Sequence, residues 1–228
     1  MHKLIRPEEP PELENARNID GLDWDGFSKL NNGQDKQNVQ DALMLMQNFR
    51  CAYCECSLEE HEGHIEHFRR KNPKIHPELT FVWSNLFYSC QNPGNPTSLF
   101  RCGISKDKLY TDGFDYNLLI DPCNDNPEDF LIFTENGGVY PKTGLSDTDK
   151  LRAETTIKMF NLNECEQGSS HNLVISRKNA IKKYKWLKEK IDKKEITAVD
   201  LDQYLDSIKE REPFVTAIFN YFGRRVVE

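Results

Sequence analysis

Residues 51–71 read CAYCECSLEEHEGHIEHFRRK and contain the motifs that decide the fold of the chain. Cys51 and Cys54 have the spacing that lets two thiolates bind one tetrahedral zinc ion from a tight turn. Glu66 and His67 follow, with a short basic run close behind them. The stretch therefore indicates either a structural zinc knuckle that lies near a histidine or the first half of a metal-dependent nuclease.

A tetrahedral zinc site needs two further ligands. Cys90 and Cys102 are the natural candidates because they bracket a loop in the same central segment, although the eleven residues between them exceed the usual two to four. Cys56 could take the place of Cys102, whereas Cys123 and Cys165 resemble ordinary buried thiols. The alternative of a redox dithiol is less favoured, because the βαβ context of a thioredoxin-like motif is absent.

Length and composition favour a soluble protein. The chain has 228 residues, of which 37% are hydrophobic and 29% are charged. No segment approaches the roughly 18 unbroken apolar residues that a membrane-spanning helix needs, and the first residues, MHKLIRPEEPPELEN, lack the apolar stretch of a secretory signal. We therefore expect a cytoplasmic location, where an odd count of seven cysteines argues against a disulfide framework.

The net charge of −7 is unfavourable for a protein that binds nucleic acid by itself, because lysine and arginine drive phosphate binding. Either the cations are concentrated locally, or a partner brings the substrate. Arg69, Arg70 and Lys71 form the basic run and could contact phosphate. A solvated surface is the usual alternative for such a run.

The N-terminal half of the chain is predicted to carry one clear helix. Residues 1–35 are rich in Pro, Glu, Asn and Gly and predict an extended, loosely structured arm, which Trp24 and Phe27 attach to the core. Residues 36–50 place apolar side chains at helical spacing. GHIEHF is compatible with a strand, and FVWSNLFYSC with a buried helix or turn that leads to Cys90.

The C-terminal half combines a hairpin with helices. DFLIFTENGGVYPKTG has two apolar runs around Asn-Gly, the strongest local hairpin signal. Ser146 and Asp149 cap a helix in which Leu151, Ile157 and Phe160 share a face. Three more helices follow, and the longest has a lysine-rich face over residues 178–190, which could bind nucleic acid, an acidic partner or only solvent.

We therefore predict an α+β, mainly helical protein in three parts. Residues 1–49 form an arm and helix, residues 50–110 form a small metal-centred core, and residues 111–228 form a β-hairpin and a helical cap.

The central motifs resemble those of the HNH, or ββα-metal, endonucleases that contain a zinc knuckle. That family has a CxxC pair, an acidic-His pair, Asn-Leu and a second cysteine pair, matched here by Cys51 with Cys54, Glu66 with His67, Asn85 with Leu86, and Cys90 with Cys102. The stretches CAYCE, IEHFRRKN, FVWSNLFYSC and RCGISK are similar to PtuB-type subunits of Septu and related retron-associated anti-phage systems. The similarity spans most of the chain.

The resemblance implies roles for three residues. His67 would act as the general base, Glu66 would bind a catalytic Mg²⁺ or Mn²⁺ beside the scissile phosphate, and Asn85 would orient the loop that carries His67. A helix-capping role is the alternative for Asn85. The zinc would contribute folding energy and no chemistry.

One departure from the family concerns its third motif position. Many relatives carry an Asn or His in the helix after the second cysteine pair, and the corresponding CGISKDK has neither. A second protein ligand for the catalytic ion is therefore unassigned, with Asn92, Asn95, Asp107 and His64 as candidates.

The resemblance also implies partners. A PtuA-type ATPase is expected, with a retron reverse transcriptase and its multicopy single-stranded DNA as a further candidate. The expected function is that of a defence nuclease acting on DNA or RNA, including tRNA. The alternative is a catalytically inactive, zinc-stabilised adaptor that only bridges partners.

Overall fold

The computed structural model of the protein describes residues 1–58, 63–71, 76–91, 100–109, 113–164 and 172–226. Helices prevail over strands in these segments, as the α+β prediction expects. The helices are α1 (Pro11–Arg17), α2 (Trp24–Phe27), α3 (Gln34–Met46), α4 (Cys102–Leu109), α5 (Pro127–Phe130), α6 (Asp147–Met159), α7 (Leu173–Asp192), α8 (Ala198–Ile208) and α9 (Val215–Tyr221). The strands are β1 (Gly63–His67), β2 (Leu86–Cys90), β3 (Leu131–Phe133) and β4 (Val139–Pro141).

Strands β1 and β2 form an antiparallel pair that positions the central motifs. Their register sets Gly63 opposite Cys90 and His67 opposite Leu86. The strand expected for GHIEHF is therefore confirmed. Successive side chains of β1 point to opposite faces of the pair, so that Glu66 and His67 face different surroundings.

Strand β2 corrects the expectation of a buried helix or turn in FVWSNLFYSC. Residues Trp83–Asn85 form one turn of 3₁₀-helix, and the five residues of β2 that follow are all buried. Helices α3 and α4 both pack against this strand. A strand covered on both faces has a continuous apolar sequence, which cannot be distinguished from a buried helix by its periodicity.

The N-terminal segment is folded rather than loose, which corrects the predicted arm. Helix α1 begins at Pro11, a residue whose fixed φ suits the first helical position, and it buries Leu13 and Ala16 on one face. Trp24 and Phe27 are buried in α2, as expected. The guanidinium of Arg6 lies over the ring of Trp83, 5.0 Å from its centroid, and joins this segment to the start of β2.

The helix predicted for residues 36–50 is α3, which ends at Met46. Asn48 and Phe49 have φ values of 49° and 54°, in the left-handed region that stops a helix. Val39 and Leu43 lie in the core, whereas Phe49 is 39% exposed because it lies beyond the helix.

The hairpin predicted around Asn-Gly is present as β3 and β4, paired in register from Leu131–Pro141 to Phe133–Val139. Gly137 in the connecting turn has a φ of 90°, and a Cβ there would lie 1.9 Å from the Val174 carbonyl oxygen. Glycine is therefore required both by the backbone conformation and by the close approach of α7.

The C-terminal helices follow their predicted caps. The side chain of Ser146 accepts a hydrogen bond from the Asp149 amide at the start of α6, and a Thr197–Asp200 capping box starts α8. The prediction that Leu151 shares the face of Ile157 and Phe160 is wrong, because Leu151 is 49% exposed. Backbone contacts from Phe214 and Thr216 to Glu55 attach the α9 end of the chain to the CxxC turn. In the described residues, no helix combines the length and apolarity needed to cross a membrane.

Candidate metal centre and histidine site

Four cysteines from three separate segments meet in the core. Cys51 and Cys54 lie in the turn after α3, Cys90 ends β2 and Cys102 begins α4. Their sulfur atoms all lie within 4.8 Å of one another, and the Sγ atoms of Cys54 and Cys90 are 3.7 Å apart. A zinc ion with zinc–sulfur distances of about 2.3 Å would give tetrahedral edges of about 3.8 Å. These four residues therefore fit a structural zinc ion, and Cys102 rather than Cys56 completes the set.

The other cysteines lie outside this group of four. Cys56 is buried next to it, in hydrogen-bond contact with the thiols of Cys51 and Cys54. Cys123 is half-buried, and Cys165 lies outside the described residues.

The pKa is lowered for Cys51 and Cys54 but raised for Cys90 and Cys102, and a buried arginine lies beside these four thiols. Burial alone disfavours the thiolate of Cys51, yet hydrogen bonds from Cys102 and its neighbours leave the pKa of Cys51 well below its usual value. A zinc ion with four thiolates carries excess negative charge, and the buried Arg101 guanidinium lies beside it. Burial would lower the pKa of Arg101, but the cysteine charges raise it above its usual value. No pattern in the sequence predicts this role of Arg101.

The CxxC turn is fixed by a buried glutamine. The Gln47 side chain donates to the carbonyl oxygens of Arg50 and Tyr88 and accepts from the Tyr88 amide, at 2.7, 2.8 and 2.8 Å. It therefore holds the end of α3 against β2, so that the turn can bring Cys51 and Cys54 to Cys90.

His67 ends β1 and is 6% exposed. Its Nε2 atom lies 2.9 Å from the carbonyl oxygen of Thr80, which can only accept a hydrogen bond. Nε2 therefore carries the proton, and in the neutral ring Nδ1 has the free lone pair. The rings of Trp24 and His67 pack edge to face, with their centroids 4.6 Å apart. Burial lowers the pKa of His67 to about 4, so the ring is neutral near pH 7.

The amide of Asn85 joins the two segments that flank His67. It accepts a hydrogen bond from the Arg69 amide at 2.7 Å and donates to the carbonyl oxygens of Arg69 and Leu79 at 2.9 and 3.2 Å. Arg69 lies two residues after His67, and Leu79 directly precedes Thr80. Asn85 therefore fixes both the strand end that carries His67 and the carbonyl that holds its ring. The 3₁₀ turn Trp83–Asn85, in which it lies, has no side-chain cap.

Glu66 lies on the opposite face of β1 and is 2% exposed. Its Oε1 atom forms an ion pair with Lys106 Nζ at 2.6 Å. The angle of this contact is not that of a hydrogen bond. Its Oε2 atom is 3.4 Å from His64 Nε2, so the expected common side of His64 and Glu66 is found. Burial raises the pKa of Glu66, but the charge of Lys106 and the contacts with His64 outweigh it and lower the pKa below its usual value.

These surroundings do not fit a divalent ion on Glu66. The Lys106 ammonium already neutralises the carboxylate, and a Cβ at Gly103 would lie 2.5 Å from Glu66 Cδ, where α4 crosses β1. Asp107 contacts the same ammonium at 3.1 Å, and Asn92 and Asn95 lie outside the described residues.

The basic run lies at the edge of the histidine site. Arg69 and Arg70 are exposed, and Lys71 Nζ lies 4.7 Å from the Trp24 ring centroid, on the ring that also contacts His67. Arg69 and Asn85 line an open cavity of about 600 Å³. Cationic side chains and an open groove therefore lie beside the segment that follows β1, and His67 itself is not among the residues that line the groove.

Asn85→Ala should destabilise the protein, because it removes one acceptor and one donor group from three backbone partners. We expect the free energy of unfolding to fall by about 2–4 kcal/mol, measured by urea denaturation. Ser84→Ala, at the exposed neighbouring position, should stay within about 0.5 kcal/mol of the wild type. Equal stability of Asn85→Ala and Ser84→Ala would contradict the bridging role.

The low pKa of His67 predicts a stability change with pH. An unfolded chain protonates histidine near pH 6.5, so between that pH and about pH 4 the unfolded state binds the extra proton. The stabilising contribution of the neutral ring is complete above this window and is lost as the pH falls through it.

We expect the wild type to lose about 2 kcal/mol more unfolding free energy than His67→Gln between pH 7 and pH 5. Urea denaturation at both values measures this difference. His76→Gln, at an exposed histidine, should behave like the wild type. If His67→Gln and the wild type lost equal amounts of unfolding free energy between pH 7 and pH 5, the inference that His67 is buried and neutral would be wrong.

The fold and the site together define a class: an α+β protein in which a two-stranded sheet and a helix meet at four cysteines that could hold a metal ion, with a buried histidine at the end of the first strand. No protein-family model matches the chain. It is 28% identical over 169 residues to "Septu protein PtuB" of Bacillus thuringiensis, with 73% of this chain and 56% of that protein covered. It is 30% identical over 152 residues to "Septu protein PtuB" of Bacillus mycoides (strain KBAB4), with 57% and 48% covered. The chain thus spans about half the length of the curated relatives it matches.

Proposed function

We propose that this protein is a zinc-stabilised endonuclease of an anti-phage defence system, in which His67 is the general base for phosphodiester hydrolysis. The observation that carries the proposal is the hydrogen bond from His67 Nε2 to the Thr80 carbonyl oxygen. It assigns the ring proton to Nε2 and leaves Nδ1 able to accept one. The antiparallel pair β1–β2, followed by α4 and joined by four cysteines, has the order of elements expected for a ββα-metal nuclease.

The proposed reaction needs few groups. Nδ1 of His67 takes a proton from water as the water oxygen attacks phosphorus. The bond from phosphorus to the leaving oxygen breaks, and that oxygen takes a proton from solvent to leave as an alcohol. Because the ring is neutral down to about pH 4, Nδ1 is unprotonated throughout the physiological range. The same low pKa makes the ring a weaker base than an ordinary imidazole. In this proposal the exposed Arg69 and Arg70 contact phosphate oxygens, whose negative charge increases during the attack.

A partner is part of the proposal. The net charge of −7 disfavours independent capture of nucleic acid, and exposed cations are concentrated next to His67 in the basic run. The two relatives carry the name of a Septu component. We therefore expect a complex with a PtuA-type ATPase, and we treat a retron reverse transcriptase with its multicopy single-stranded DNA as a second possible member.

The test is a cleavage assay on purified protein, alone and with the proposed PtuA-type ATPase. The substrates are plasmid DNA, single-stranded DNA and total RNA that includes tRNA, with and without ATP. Fragments that the wild type produces and His67→Ala does not would support the proposal. A complex that cleaves none of these polymers under any condition, or a His67→Ala complex that cleaves as fast as the wild type, would refute it.

One observation favours a second function, that of a zinc-stabilised adaptor without activity. Lys106 neutralises Glu66, and glycine stands at position 103, against the Glu66 carboxylate. A decayed active site would look like this, because the carboxylate has become part of the packing between β1 and α4. The adaptor predicts stable binding of the ATPase by wild type and His67→Ala alike, with no cleavage by either.

A further inference from the structure

Lys106 is a buried lysine whose ammonium is surrounded by oxygen atoms. It is 1% exposed, whereas Lys108, the other lysine in the last turn of α4, is exposed. Its Nζ atom lies 2.7 Å from the His67 carbonyl oxygen, 3.1 Å from the Phe68 carbonyl oxygen, 2.6 Å from Glu66 Oε1 and 3.1 Å from Asp107 Oδ1. Two carboxylates and two carbonyls therefore converge on one positive charge.

This set of contacts has the chemistry of a site for a hard cation. Carboxylate and backbone carbonyl oxygens are the protein ligands that Mg²⁺, Mn²⁺ and Ca²⁺ prefer. The set also lies next to His67, since one of its oxygens is the His67 carbonyl. A cation at this position neutralises the charge of Glu66 and fixes the end of β1. A divalent metal ion bound to Glu66 would have the same two effects.

The packing leaves the carboxylate group of Glu66 little room for a second cation. Gly103 lies so close that a Cβ would be 2.5 Å from Glu66 Oε2. His64 approaches the same oxygen from the strand, with its Nε2 atom 3.4 Å away. Lys106 occupies the side of Oε1. The three neighbours together surround the carboxylate.

We propose that the Lys106 ammonium occupies the cation position beside Glu66, so that Glu66 binds no divalent metal ion in this protein. Lys106 is then a positioning residue, because it acts through the carbonyl of His67 and the carboxylate of Glu66 rather than on a substrate. The inference concerns the same place as the proposed function. If that function is correct, His67 works beside an internal ammonium ion.

Mn²⁺ binding tests the inference without any cleavage. The zinc-loaded wild type and Glu66→Gln are titrated with Mn²⁺, and free Mn²⁺ is followed by electron paramagnetic resonance. We expect the two proteins to bind Mn²⁺ equally weakly. Tight binding by the wild type that Glu66→Gln abolishes would overturn the inference.

Removal of the ammonium should create a metal site. Lys106→Ala leaves the four oxygens around an empty position, and we expect it to bind Mn²⁺ at least about tenfold more tightly than the wild type. The double variant with Glu66→Gln should lose this gain, and Lys108→Ala, on the same helix and exposed, should bind as the wild type does.

The outcomes are decisive in each case. A Lys106→Ala protein that keeps its zinc and gains no Mn²⁺ affinity would overturn the inference. If that variant does not retain its zinc, the comparison of wild type with Glu66→Gln decides. A wild type that behaves as expected in the titration but cleaves no nucleic acid would refute the proposed function alone.

Discussion

His67→Ala is expected to reduce nucleic-acid cleavage by about 10²–10⁴-fold, the range typical for loss of a positioned general base. The reason is geometric: the Thr80 carbonyl fixes the proton on Nε2 and leaves Nδ1 as the group that accepts the proton of water. The rate of product formation is measured with substrate in excess and with the ATPase present. The zinc content should remain that of the wild type, because His67 does not belong to the four-cysteine group.

The matched control is His76→Ala. His76 has a 41% exposed side chain and makes a surface contact with Glu78, so its replacement should leave the cleavage rate within about twofold. A fall of equal size in both variants would point to a general effect of histidine removal on the fold or on partner binding, and would contradict the specific role of His67.

Cys54→Ser should unfold the protein. The four thiols surround one place in the core where β2, α4 and the CxxC turn meet, and structural zinc in such sites contributes about 10–16 kcal/mol in isolated zinc-finger peptides. That contribution equals or exceeds the total stability of about 5–15 kcal/mol of a typical domain. We expect a stoichiometry near zero zinc by elemental analysis and the loss of the cooperative thermal transition.

Cys123→Ser provides the control for this experiment. Cys123 is a half-buried thiol outside the group of four, so the variant should keep its zinc and lose no more than about 1 kcal/mol of stability. If Cys54→Ser retained a full complement of zinc and a wild-type thermal transition, the four-cysteine metal centre would be wrong.

The sequence predicted the helices of the C-terminal half because their signals are local. Ser146 and Thr197 cap α6 and α8, and the apolar stripe of α7 gives the buried face from Leu173 to Leu187. The N-terminal segment was mispredicted because its order depends on distant contacts. Helix α1 has only seven residues, and Arg6 is fixed by rings more than seventy residues away in the chain.

The candidate site was predictable only where a side chain carries a recognisable spacing. The cysteine set was found from CxxC and two later cysteines, and the structure brings these four together. The Thr80 carbonyl that orients His67 has no sequence signal, because any residue offers a carbonyl oxygen. Lys106 stands in CGISKDKL and resembles a solvated lysine. Cys102 and Lys106 are four residues apart, and residues with this spacing lie on the same face of a helix. This spacing indicates that Lys106 shares the buried face of α4 with Cys102.

The most direct test of the account is a ¹⁵N NMR titration of His67 in the zinc-loaded protein. Long-range proton–nitrogen correlations identify which ring nitrogen carries the proton, and His67→Gln assigns the signals. We expect a neutral ring with the proton on Nε2, an unprotonated Nδ1 and a pKa of about 4. A proton on Nδ1, or a pKa at or above the usual value of about 6.5, would contradict it.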